Sequence, residues 1–254
     1  MTRPTITAAT YGLNCAGYVE DCVRSLAWAD EVLYVDGGSA DGTREKARTA
    51  GARVLENTWT GFRDQLSFIS TAATSDWVLI LDVDERATAE LADEVRRTVA
   101  AARLDGYFLP RRTRYLGRWL AHGEWFPDYT PRLYRRGKGR YVGEPHARLV
   151  VDGPMGRLAE PIRHLGYKDL SEQMRKIELY SDWEARELAE KGARHVVAKA
   201  LLHPPARFAK GYIMKAGFLD GWPGFVVAMM TAYHVFAKYA KLRELRRGPR
   251  EDQS

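Results

Sequence analysis

The sequence predicts an α/β protein: a mixed, mostly parallel sheet flanked by helices, followed by a helical C-terminal region. Three observations lead there. Between Thr5 and Ala102, strand-like apolar runs alternate with amphipathic helical runs, the pattern of parallel strands joined by right-handed crossovers. One run, Trp77-Val-Leu-Ile-Leu81, is continuously apolar, as in a strand covered by helices on both faces. From about Ser171 the composition turns helical, so residues 1–168 are expected to form the sheet domain and 169–254 a helical region.

In chain order, Thr5–Thr10 reads as the first strand. A turn at Gly12 and Asn14 leads to a helix carrying Tyr18, Val19, Cys22, Val23 and Leu26 at helical spacing. Glu31–Asp36 is the second strand, Thr43–Ala50 a helix, Arg53–Leu55 the third strand and Phe62–Ala73 a helix. After the central strand comes a helix over Ala87–Ala102, with Leu91, Val95 and Val99 four apart, and a strand at Gly106–Pro110. Beyond it Tyr115, Trp119, Trp125, Phe126 and Tyr129 interleave with Arg111, Arg112, Arg114 and Arg118, which predicts short strands and binding loops. Ser171 is positioned to cap a helix reaching Lys191, with Gly192 as its stop. Shorter helices from Arg194 and Ala206 are expected on either side of His203-Pro-Pro205, and a last helix from Pro223 to Arg247.

The central strand ends in Asp82-Val-Asp84-Glu85. If strand geometry persists, Asp82 and Asp84 share a face about 6.6 Å apart. Their repulsion is then about 2.5 kcal/mol at an effective dielectric of about 20. A divalent cation reverses that sign, and Mg²⁺ or Mn²⁺ suits carboxylate oxygens while leaving positions for substrate phosphates. The competing reading is a solvated strand-to-helix turn whose acids favour the next helix N-terminus. The carboxyl end of a buried strand, where open α/β sheets bind ligands, favours the site.

The chain has 254 residues, enough to bury a sizeable core, and carries a net charge of +6 with a pI near 9.3. That balance points to an acidic partner: a phosphorylated ligand, an anionic membrane or nucleic acid. Cys15 and Cys22, seven apart in what reads as one helix, are too far apart to bridge easily, which fits a reducing cytosol. The opening Met1-Thr-Arg-Pro-Thr-Ile-Thr7 lacks the apolar core of a signal peptide, so the protein is expected to work without crossing a membrane.

Taken together, Val35-Asp-Gly-Gly-Ser-Ala-Asp-Gly-Thr43, Gly61-Phe-Arg-Asp-Gln65 and Asp76-Trp-Val-Leu-Ile-Leu-Asp-Val-Asp-Glu-Arg86 resemble family 2 glycosyltransferases of the GT-A fold. Arg132-Leu-Tyr-Arg-Arg136, Pro161-Ile-Arg-His164, the Lys176 helix and Ala216-Gly-Phe-Leu-Asp-Gly221 are similar to bacterial lipopolysaccharide-core enzymes that transfer β-glucosyl or heptosyl groups. The resemblance implies an inverting, metal-dependent transfer of a hexose or heptose from a nucleotide sugar, a UDP-sugar foremost, to a lipid-linked or glycan acceptor. It implies that Asp36 contacts the base, that Asn14, Arg63, Gln65 and Asp82 belong to the donor site, and that Asp82, Asp84 and His164 serve the Mg²⁺ or Mn²⁺ ion. The acceptor's proton would pass to Asp128, with Glu124 as second candidate. Arg132, Arg135 and Arg136 could clamp phosphate, or could be solvated strand residues. The chain departs from its relatives at Asn14-Cys-Ala16, at Leu66-Ser67 and at His146-Ala147, where an acid, a Lys-Asn pair and a His-Glu pair are usual.

Phe225–Ala237 is apolar, but it rises only about 20 Å, short of the roughly 30 Å hydrocarbon core. With Lys238, Lys241, Arg243, Arg246, Arg247 and Arg250 after it, the helix suits either attachment to an anionic inner leaflet or packing on the domain or a second subunit. The resemblance favours a cytoplasmic protein peripheral to the inner membrane. Two rivals are weaker. A sugar-nucleotide pyrophosphorylase needs a glycine-rich basic loop where Tyr11-Gly-Leu-Asn-Cys15 stands. A nucleic-acid-binding protein would use the basic aromatic middle but leaves Asp82 and Asp84 without a role.

Overall fold

Strand β1 (Ile6–Gly12) is buried at every residue and organises the sheet. The computed structural model describes residues 3–101, 103–143 and 147–247. After β1 come α1 (Val19–Leu26), β2 (Glu31–Asp36), α2 (Thr43–Thr49), β3 (Arg53–Glu56), α3 (Phe62–Ala72), β4 (Trp77–Ile80), β5 (Glu85–Arg86) and α4 (Ala89–Ala101). Then follow β6 (Gly106–Tyr115), β7 (Arg118–Trp119), β8 (Asp128–Arg135), β9 (Gly139–Val142), β10 (Arg148–Val151), β11 (Met155–Arg157) and β12 (Ile162–His164). Three helices finish the described chain: α5 (Leu170–Glu190), α6 (Val196–Ala209) and α7 (Gly221–Arg247).

The main sheet runs β3-β2-β1-β4-β8-β6-β12-β5. Its first four strands are parallel, and β8 then pairs antiparallel with both β4 and β6. The parallel half follows from α1, α2 and α3, whose apolar stripes (Val19, Cys22, Val23 and Leu26 on α1) cover sheet faces. Burying a large apolar side chain such as Leu79 or Ile80 stabilises the fold by about 1.5–3 kcal/mol. Register matters for the site: Gly12 pairs with Asp36 and Ala9 with Ile80, so the carboxyl ends of β1, β2 and β4 reach one rim.

The chain divides into two compact units, Met1–Arg112 with Asp128–His164, and Thr113–Pro127 with Leu165–Ser254. The first holds the sheet. The second is helical: Tyr115, Leu120, Ile177, Val226, Val227 and Met230 form one core, and Ala185, Val196, Tyr239 and Leu242 another. Assignment of Thr113–Pro127 to the helical unit is a long-range property that no local composition shift announces.

Several expectations need correction. Strand geometry stops at Ile80, so the same-face projection of Asp82 and Asp84 does not apply. Cys15 precedes α1; both cysteines are free and buried, and Cys15 Sγ lies 3.2 Å from the Tyr34 hydroxyl. The α5 cap is Asp169, whose carboxylate accepts the Glu172 N–H at 2.7 Å, and Ser171 lies inside the helix. Pro204 and Pro205 sit within a continuous α6. Each proline removes a helix hydrogen bond, Pro204 from the Ala200 carbonyl and Pro205 from that of Leu201. The apolar part of α7 is largely packed inside its unit: Val226, Val227, Ala228 and Met230 are buried, while Lys238 and Lys241 pair with Glu184 and Asp182. No helix of the described residues is long and apolar enough to cross a membrane. Residues 144–146, with the His146 of the departure noted above, lie outside the described residues.

Candidate active site

At the rim, the turn after β4 sends its acids to different partners. Asp82 Oδ1 accepts the Tyr11 hydroxyl at 2.8 Å, and its carboxylate is paired with the Arg132 guanidinium. Glu85, fully buried, accepts the Asp82 N–H at 2.9 Å and takes Arg132 Nη2 at 2.9 Å on its other oxygen. Arg111 Nη1 stands 3.7 Å from that same Glu85 oxygen. Arg111 also donates to Asp128 Oδ2 from Nε and Nη2, at 3.0 and 2.7 Å. The result is an unbroken line of alternating charge: Asp82, Arg132, Glu85, Arg111, Asp128.

Burial alone would raise the Asp82 carboxyl, but the Arg132 charge beside it and the Tyr11 hydrogen bond bring it down to about 2. Burial raises Glu85, the Arg132 charge opposing and the Asp82 charge reinforcing it. Burial works against the Arg132 cation too, yet its two carboxylates hold its pKa well above the usual arginine value. Tyr11 is pushed well above the ordinary phenol range by burial and by the Asp82 charge, so it donates to Asp82 as a neutral hydroxyl.

Asp84 points elsewhere. Its Oδ2 lies 3.5 Å from His164 Nε2, which β12 brings to the turn by pairing His164 with Glu85. The Asp84 carboxylate oxygen suits Mn²⁺ or Mg²⁺, which take few protein ligands and fill the remainder from phosphates and water; the His164 imidazole nitrogen facing it suits the softer Mn²⁺ better than Mg²⁺. The described residues hold no group of three or more His, Cys, Asp or Glu that could bind an ion, so a cation here would rely on its substrate for ligands. Of the three predicted metal residues, Asp84 and His164 are together, and the Asp82 carboxylate is engaged by Arg132 and Tyr11.

The predicted donor residues divide similarly. Asp36 is fully buried; Oδ2 accepts the N–H groups of Gly38 and Ser39 at 2.9 and 2.8 Å, so in this structure it shapes the turn after β2. Gly38, at φ +102°, has the backbone that turn demands. Asn14 ties the same turn to the end of β1, its Oδ1 accepting the Ala40 N–H at 2.9 Å. Gln65 is buried, with Nε2 on the Asn57 carbonyl at 2.6 Å and Oε1 without a hydrogen-bond partner. Arg63 is exposed beside Asp64. Glu124 lies in the helical unit, 5% exposed, paired with Arg207 at 2.8 Å.

Sequence reasoning missed several residues that build this rim. Arg132 does not hold itself out to phosphate: it neutralises Asp82 and Glu85, while Arg135 pairs with Asp105 and Arg136 donates to the Ser75 carbonyl. The antiparallel β8–β4 pairing that delivers Arg132 has no local signature. Tyr11, Trp59 and Phe62 form an aromatic shelf beside Asp82, with Trp59 stacked on Tyr11 at 6.3 Å and Phe62 edge-on to Trp59 at 5.1 Å. Tyr115, one of the aromatics expected in binding loops, is instead in the core.

The parallel sheet, the acidic rim and the order of motifs describe a sugar-transferring α/β enzyme, and the comparison by family agrees: the pattern of glycosyl transferase family 2 matches residues 10–159, and the chain belongs to that family. It is a glycosyltransferase. Among named relatives it is similar to the Lipopolysaccharide core biosynthesis glycosyltransferase LpsC of Rhizobium meliloti (strain 1021), 29% identical over 239 residues that cover 91% of this chain and 88% of the relative. An uncharacterized glycosyltransferase of Rickettsia bellii (strain RML369-C) is 28% identical over 254 residues, 94% and 86% of the two chains. Among solved structures, a partial likeness links it to glucosyl-3-phosphoglycerate synthase from Mycobacterium tuberculosis in complex with Mg²⁺ and uridine diphosphate. That match has TM-score 0.37 and 22% identity, over 45% of this chain and 44% of the other.

Proposed function

We propose that this glycosyltransferase transfers a hexose or heptose with inversion, in a metal-dependent reaction, from a nucleotide sugar to a hydroxyl of a lipid-linked or glycan acceptor. A UDP-sugar is the favoured donor. The observation that carries the reading is the Asp84–His164 pair at 3.5 Å, on the rim where β1, β2 and β4 end. Similarity to LpsC over most of both chains supports a place in the assembly of lipopolysaccharide or another cell-surface polysaccharide, and with it a cytoplasmic protein acting at the inner leaflet.

In this reading Asp84 and His164 hold Mn²⁺ or Mg²⁺, which when bound offsets the charge that develops on the departing diphosphate. The protein's own residues do the rest. Trp59, stacked on the buried Tyr11, offers its ring to the nucleobase with Phe62 edge-on beside it, and the Asp36 turn fixes the backbone nearby. Arg132 keeps the Asp82 carboxylate ionised and oriented by Tyr11. Asp128 receives the proton of the acceptor hydroxyl; Arg111 grips only its Oδ2, leaving Oδ1 to act as base. The ion pairing and burial of Glu124 favour Asp128 over it.

Asp128→Asn tests the assignment. Turnover should fall by about two to four orders of magnitude, the usual span of general-base catalysis. Binding of UDP with Mn²⁺ should stay within about threefold of wild type, a shift of under 1 kcal/mol. A normal turnover number for this variant would remove Asp128 from the mechanism.

A further inference from the structure

From Lys191 to Leu219 the chain carries six lysines and arginines and no aspartate or glutamate. The second half of that run joins α6 to α7 through a π-helical turn, Lys210–Met214, and a 3₁₀ turn, Gly217–Asp220. Its bulky apolar side chains face outward: Ile213, Phe218 and Leu219 are exposed, and Met214 and Trp222 are 79% and 68% exposed, among the largest such values in the described chain. In the sheet unit the exposed bulky apolar side chains are only Leu13, Tyr18 and Phe62 among the described residues. Scattered exposed apolar residues are ordinary, whereas a contiguous patch marks an interaction surface.

The aromatic members of this surface are linked to one another, and Ile213, Met214 and Leu219 adjoin them in sequence. Tyr212 touches Phe218 at 6.3 Å and Phe225 at 5.7 Å, and Trp222 stacks on Phe225 at 5.6 Å. Glycines let the backbone fold inward: a Cβ on Gly217 would stand 2.7 Å from the Gly211 carbonyl oxygen, and one on Gly224 only 1.9 Å from that of Gly217. Asp220, the first acid after the run, is buried and accepts the N–H groups of Ala121 and His122 at 2.9 and 2.8 Å, so its charge is spent inside. Lys210 and Lys215 are exposed next to the apolar side chains in sequence, Lys210 with no acid in its own run and Lys215 with its Nζ 3.7 Å from Glu124 Oε1.

We infer that the surface made by Ile213, Met214, Phe218, Leu219 and Trp222, edged by Lys210 and Lys215, docks on an anionic lipid bilayer. The charge decides the partner. A face of aromatic and aliphatic side chains edged by lysine, in a run without acid, is complementary to a negatively charged headgroup layer over hydrocarbon. This moves the lipid contact from the packed α7 helix to the turn preceding it. The inference deepens the inner-leaflet placement of the proposed function by naming the surface, and its test uses no sugar donor, so failure would leave donor and metal binding standing.

The test is sedimentation of the full chain with vesicles of phosphatidylglycerol and phosphatidylethanolamine, against vesicles of phosphatidylcholine. Wild type should bind the anionic vesicles, less at high salt, and bind phosphatidylcholine at least tenfold more weakly. Met214→Ser/Trp222→Ser should lose at least tenfold in affinity for the anionic vesicles, with an unchanged melting temperature. Lys210→Glu should weaken binding and flatten its salt dependence. If the double variant fails to fold, quenching of wild-type tryptophan fluorescence by brominated lipid, reduced in Trp222→Phe, provides the readout. Wild type indifferent to anionic vesicles, variants that bind as wild type, or a wild-type dimer that the double variant splits without any vesicle binding would each overturn the inference.

Discussion

Arg132 is the residue on which the rim depends, because it compensates Glu85, which has no exposed surface, and Asp82 together. Arg132→Met keeps the apolar stem and removes the charge, leaving two carboxylates without their main partner. The expected loss is about 3–5 kcal/mol of unfolding free energy in urea at pH 7, the range for breaking a buried pair from one side. The two carboxylates should also respond to pH in opposite directions. The lowered Asp82 stabilises the fold above its unfolded value of about 3.9, and that contribution is lost as pH falls through about 2. The raised Glu85 does the reverse: its ionisation costs stability, so acidification from above its folded pKa towards about 4.3 strengthens the fold. Urea midpoints from pH 7 to pH 2 should show a smaller acid loss in Asp82→Asn and no mid-range gain in Glu85→Gln. At this scale the acids themselves were legible, since Asp-Val-Asp-Glu closes an apolar run. Their separation was not: the chain leaves strand geometry after Ile80, so Asp82 turns to Arg132 and Asp84 to His164, partners fifty and eighty residues further along.

Among the elements, the parallel half of the sheet and its helices followed from periodicity, with β2 at its expected bounds and α2, α3 and β3 within a residue. The misses came where tertiary packing outweighed local preference. Two prolines inside an apparent helix read as a break, yet α6 continues through them, against an intrinsic cost of about 3 kcal/mol per proline. The start of α7 is set by backbone contact that only glycine permits. Gly224→Ala would put a methyl group into the Gly217 carbonyl, an atom that cannot yield without moving the 3₁₀ turn. The expected loss is about 1–3 kcal/mol, seen as a lower melting temperature, from overpacking at a closed site.

For the whole molecule, one family pattern covers residues 10–159, while the helical unit draws its remaining parts from Thr113–Pro127 and from Leu165 onward. The parallel half of the sheet unit was readable because its strands alternate with helices along the chain and β1, β2 and β3 pair in sequence order. The aromatic shelf and the Arg132–Glu85–Arg111 line were not, because they gather side chains from strands and turns far apart in the chain. In the proposed reaction, Asp84 and His164 grip a divalent cation that in turn retains a nucleoside diphosphate. Calorimetric titration of UDP tests it most directly, with the protein in Mn²⁺ and then in chelator. Wild type should bind at least tenfold more tightly with Mn²⁺, a difference of about 1.4 kcal/mol, and both Asp84→Ala and His164→Ala should abolish that advantage while leaving the melting temperature unchanged. UDP affinity that ignores Mn²⁺ in wild type, or a full Mn²⁺ effect in both variants, would rule out a cation held by Asp84 and His164.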